Sequence, residues 1–192
     1  MTELAPFAAI LAGVMALVAG VLLAIFFATR IDAWGRANDA ASAAFAVLLV
    51  PVAIGLHGRL EETGAASLGV AAIGLASMAV AAVASVLTAL GRLSVEQLTR
   101  WQGGSFAALF AWVAGASVLI LVTGDLPAPL AWLGIAAAAL AVVATLDIVR
   151  IVRSVGMADL ATMTRPPVVA MTATLLALAA FPAWCIWLGL SL

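Results

Sequence analysis

The 192-residue chain is 67% apolar and only 9% charged, against ~45–50% and ~25% for soluble domains, which excludes a single water-facing globule. Eight arginines, no lysine and nine acidic residues leave a net charge of −1, so no basic surface is on offer to nucleic acid. The absence of lysine rules out a retinal Schiff base. A single cysteine (Cys185) and a single histidine (His57) rule out an intrachain disulfide, a thiolate metal cluster and a bis-imidazole haem. No cofactor is expected. At ~20 residues per span, six spans take about 120 residues and leave about 70 for caps and loops. The expectation is one all-α transmembrane domain over residues 1–192.

The first apolar run, residues 5–29, is too long for a signal-peptide core and has no basic residue before it, so it reads as a retained helix. The second, 39–56, contains Pro51, and Asp39 stands where an N-cap belongs. The third, 64–90, is the longest run and spans only with tilt. The fourth covers 105–122. Before it, Arg92 to Trp101 carries a capping box (Ser94 with Gln97) and Leu93, Val95, Leu98 and Trp101, the makings of a separate short interfacial helix. The fifth is 129–146 and the sixth 167–190, with Pro129 and Pro166-Pro167 at their starts. The stretch from Arg150 to Arg165 reads as the longest connection.

Arginine sets the expected orientation. Arg30, Arg36, Arg92, Arg100, Arg150, Arg153 and Arg165 fall on one side and Arg59 alone on the other. The positive-inside rule then puts the loops after helices one, three and five in the cytoplasm and both termini outside. With no tyrosine in the chain, tryptophan must form the interfacial belt: Trp34 and Trp101 inside, Trp132 and Trp187 outside, Trp112 and Trp184 deeper. Small residues recur at helical spacing in Ala16/Gly20/Ala24, Ser77/Ala81/Ser85 and Gly134/Ala138. They permit close helix approach, to a neighbour in this chain or in a second copy.

Five residues stand out as functional candidates. Asp147, with Arg150 three positions on, is either an interfacial ion pair or a proton or cation site. His57, at the end of helix two, reads as a solvated residue of a polar loop, with pH sensing or metal contact as the sharper alternative. Trp184 and Trp187 follow Pro182 in Phe181-Pro182-Ala183-Trp184-Cys185-Ile186-Trp187-Leu188-Gly189. Three apart, they are expected to share a face near a proline kink, where they line an apolar pocket or pack it shut. This aromatic-Pro-x-Trp-x-x-Trp-Leu-Gly ending, together with residues 39–59 around Pro51, resembles a group of small six-helix membrane proteins of bacteria that carry no assigned reaction. The resemblance implies an inner-membrane helical protein and no catalysis.

No phosphate loop, nucleophile–base pair or metal-ligand spacing is present in the sequence, so an enzyme is not expected. The leading expectation is a non-catalytic membrane module: an accessory or scaffold subunit, or a binder of a lipophilic small molecule. The alternative is a small transporter or channel, which needs polar or unwound groups at mid-membrane. Expected partners are the bilayer, other membrane subunits or a second copy of the chain, and a lipophilic ligand.

Overall fold

The structure, a computed structural model, describes residues 2–93, 95–155 and 168–192. Among them run six α-helices and no strand: α1 (Ala5–Thr29), α2 (Asp32–Arg59), α3 (Ala65–Ala89), α4 (Val95–Thr123), α5 (Ala128–Val155) and α6 (Val168–Ser191). Each is long and apolar enough to cross a membrane, the pattern of a multi-pass membrane protein.

Several boundaries differ from the apolar runs. Helix two begins at Asp32, so Asp39 is an interior residue two turns in and not a cap. In the stretch before span four, Val95 to Trp101 form no separate interfacial helix but the first turns of α4 itself. At 29 residues α4, and not helix three, is the longest described helix. Helix five continues past Leu146 to Val155, so Arg150, expected to open the connection, lies on the same helix as Asp147. One cause explains all of these. Hydropathy reports where the bilayer core ends, whereas a helix ends where its backbone groups find other partners. Ser94, and with it the capping box, lies outside the described residues, as do Arg165 and Pro166-Pro167; so do the side chains of Asp147 and Arg150.

The turn from α1 to α2 is only Arg30 and Ile31. Arg30 takes the left-handed conformation (φ 58°), and its N–H closes α1 on the Phe26 carbonyl at 2.7 Å. Its guanidinium carbon lies 5.6 Å from the Phe27 ring centroid, a cation–π contact that offsets part of the cost of that backbone.

Successive helices pack on one another, and α6 packs back on α1, so the six close into a ring in chain order. A ring of six helices leaves a centre that only large side chains can fill. Alternate helices supply the aromatic ones: Phe45 from α2, Phe110 and Trp112 from α4, Phe181 and Trp184 from α6. Trp112 and Trp184 meet edge to face at 5.8 Å, Phe45 and Phe110 meet Phe181 at 5.5 and 5.4 Å, and Phe181 stacks on Trp184 at 6.1 Å. These are the separations and tilts that aromatic quadrupoles favour.

Space for the indoles comes from glycine. A Cβ on Gly74 would stand 2.5 Å from Trp112 Cδ1, and one on Gly134 would stand 2.6 Å from Trp184 Nε1 and collide with Ser117 Oγ. Ser77, Ala81 and Ser85 are all buried, as is Ala138, so these small-residue stripes serve packing within this chain. On α1 the close approach falls elsewhere. A Cβ on Gly20 would have only Leu178 within 4 Å, whereas Gly13 is pressed against Pro182, Cys185 and Ile186 of α6.

Candidate functional site

Because α2 sits between α1 and α3, its outward face forms the floor of a groove walled by both neighbours. The apolar part has a volume of ≈ 760 Å³ and is lined by Leu11 and Met15 of α1, Ala43 and Val47 of α2, and Val83 and Val86 of α3, among others. Alanines at 43 and 44 keep the floor low, while Leu11, Val83 and Val86 stand exposed as its rim.

Beyond one end of the groove lies a polar recess of ≈ 330 Å³. Its walls include Phe26 from α1, Asp32, Arg36 and Asp39 from α2, and Thr88 from α3. Asp39 and Ala43 are one turn apart on α2, and Leu87 of the groove adjoins Thr88 of the recess. The two volumes share no lining residue but are neighbours along α2. Residues 32, 36, 39, 43 and 47 fall on one helical stripe by their 4-3-4-4 spacing. That stripe changes from charged to apolar as it leaves the end of the bundle.

Asp39 is half-buried there and accepts a hydrogen bond from Asn38 Nδ2 at 3.5 Å, while Asp32 and Arg36 are exposed. Thr88 turns its hydroxyl to the Ala84 carbonyl of its own helix at 2.8 Å. Phe26 and Leu90 supply the apolar part of the recess wall.

His57 is not a loop residue. It occupies the last turn of α2, half-buried, with Nδ1 3.1 Å from Ser67 Oγ on α3. Ser67 donates its single hydroxyl proton to the Gly64 carbonyl at 3.0 Å, so it accepts from the imidazole, which fixes the proton on His57 Nδ1. The imidazole is thus a link between α2 and α3 rather than a solvated side chain. Nearby, Arg59 donates to the Leu192 carbonyl, tying the end of α2 to the end of the described chain.

The two C-terminal candidates do not share a face. Trp184 is fully buried at the ring centre and Trp187 is 39% exposed on the outside. Trp184 packs the centre shut. Its Nε1 and the Ser117 hydroxyl are buried without hydrogen-bond partners. Among the six tryptophans, Trp34, Trp101, Trp132 and Trp187 are exposed and Trp112 and Trp184 buried.

Sequence reasoning misses the recess. Its signal is the i, i+4, i+7 spacing of Asp32, Arg36 and Asp39, which is hidden when Asp39 is taken as a helix start. Among the described residues, no three His, Cys, Asp or Glu side chains group as metal ligands. The chain matches no family model, no curated protein and no solved structure.

Proposed function

We propose that the protein is a non-catalytic module of a bacterial inner membrane that binds a lipophilic molecule in the groove over α2. The arginine-bearing end, where α1 and α3 finish and α2 begins, then faces the cytoplasm, and both termini lie outside. The observation that carries the reading is the groove itself: ≈ 760 Å³ of apolar channel, open to the lipid, with a polar recess beyond one end. A filled ring centre favours such a binder over a channel, because the aromatic cluster stands where a path would run. Small-molecule sites of this kind are concave, largely apolar and carry a few placed polar groups, and their volumes fall in roughly the 300–1,000 Å³ range.

Native mass spectrometry of the protein purified in mild detergent tests this. The wild type is expected to retain a lipophilic molecule that Ala44→Phe, which fills the groove from its exposed floor, loses. Ala44 faces outward, so the substitution leaves the ring packing intact and the variant is expected to fold with the wild-type helix content. Equal retention by both proteins, with both folded, overturns the reading.

A further inference from the structure

We infer that the recess formed by Asp32, Arg36 and Asp39 holds the headgroup of a zwitterionic phospholipid, a phosphate followed by a primary ammonium, whose acyl chain lies in the groove. This rests on the groove reading above and adds the chemistry of its polar end.

Three features of the recess define that chemistry. First, it neighbours the apolar groove along α2, with Asp39 one turn from Ala43, so whatever fills both is amphiphilic. Second, its charged groups alternate in sign along one helix face, carboxylate, guanidinium, carboxylate. Side chains three or four apart on a helix stand about 5–6 Å from one another. A phosphate on Arg36 therefore leaves an ammonium, two carbons further along, within reach of a carboxylate one turn away. Third, the lining carries two carboxylates to one guanidinium. A purely anionic headgroup meets net repulsion there, and a zwitterion meets both signs.

The position of the recess fits as well. Arg36 and Asp32 are exposed at the end of the bundle, level with the start of α2, where headgroups lie; Asp39 is half-buried one step towards the tail. Guanidinium–phosphate and carboxylate–ammonium contacts are charge-assisted and are the stronger kind of hydrogen bond. The first-turn N–H groups of α2, beyond an Ile31 cap that has no side-chain bond, add a favourable dipole for the phosphate.

The test is lipid competition read by native mass spectrometry, on the full chain in mixed micelles. The probes are phosphatidylethanolamine, phosphatidylglycerol and diacylglycerol with identical chains. In the wild type the ethanolamine lipid is expected to outcompete the other two by about tenfold, one charged hydrogen bond's worth. Arg36→Gln is expected to remove the advantage of ethanolamine lipid over diacylglycerol. The double variant Asp32→Asn/Asp39→Asn is expected to abolish or invert the preference for ethanolamine over glycerol headgroups, while phosphate lipids still outcompete diacylglycerol. Arg36→Lys, which keeps the charge, retains most of the wild-type order and separates a charge effect from misfolding.

If the three lipids bind alike to the wild type and Ala44→Phe releases all three, the headgroup assignment is overturned and the groove stands. If phosphatidylglycerol binds best, the exposed Arg30 and Arg92 at the same end dominate and the assignment is again overturned. If Ala44→Phe alters none of them, the groove reading falls too.

Discussion

Trp184→Ala is expected to destabilise the protein by about 3–5 kcal/mol, the range found for deleting a buried aromatic side chain. The indole is fully buried and is the meeting point of the ring centre: it contacts Trp112 of α4 edge to face, stacks on Phe181 and occupies the space opened by Gly134 of α5. The Trp112 and Phe181 rings and the Gly134 backbone beside it cannot move in to refill that volume. Trp184→Phe separates two contributions. It keeps an aromatic ring and removes an N–H that has no partner, so it is expected to cost far less than the alanine variant. Trp187→Ala, on the exposed outer face, is the matched control and is expected to change stability by under about 1 kcal/mol. Equilibrium unfolding in mixed detergent micelles reads all three. Equal losses at positions 184 and 187 would remove the aromatic centre from this account.

Gly13→Val is expected to open the seam where α6 closes on α1. A Cβ at this position would stand 2.8 Å from the Pro182 carbonyl oxygen, 2.7 Å from Ile186 Cγ1 and 3.2 Å from Cys185 Cβ. Ile186 can change rotamer, but a backbone carbonyl cannot move aside, so the helices must separate. Overpacking of this kind costs about 1–3 kcal/mol and at times more. Gly20→Val, two turns along the same helix, meets only Leu178 at 3.9 Å and is expected to be nearly neutral. The pair is measured by unfolding. The seam itself is read by crosslinking of paired cysteines on α1 and α6, whose yield should fall in Gly13→Val alone.

That contrast also shows what the sequence could and could not carry. The six apolar runs announced six helices because a bilayer demands ~20 apolar residues per span whatever the fold. They did not announce where the helices end, since Asp32, Arg36 and Asp39 interrupt the hydropathy of α2 without interrupting its backbone bonds. Spacing alone picked out Gly20 because Ala16 and Ala24 flank it. The true contact at Gly13 depends on which helix comes back to meet α1, and that is a property of ring closure. The same limit separated Trp184 from Trp187. Three positions apart puts two side chains on neighbouring stripes, and only the ring decides that one stripe faces the centre and the other the lipid. His57 was legible as a helix-ending residue but not as a link to Ser67, because their pairing needs the α2–α3 hairpin to bring positions ten apart together.

A photolabelling map reads the occupancy of the groove. Protein in vesicles is irradiated with a phospholipid bearing a diazirine in its acyl chain, digested, and the labelled residues are located by mass spectrometry. Any membrane-facing side chain takes some label, so the comparison is between residues of similar exposure. Val47 and Val83, in the groove, are 59% and 51% exposed; Leu146 and Leu175, on α5 and α6 outside it, are 64% and 58% exposed. A lipid held in the groove predicts several-fold more label at Val47, Val83 and neighbouring Met15 than at Leu146 and Leu175, and loss of that excess in Ala44→Phe. Label spread over all six helices in proportion to exposure would contradict it.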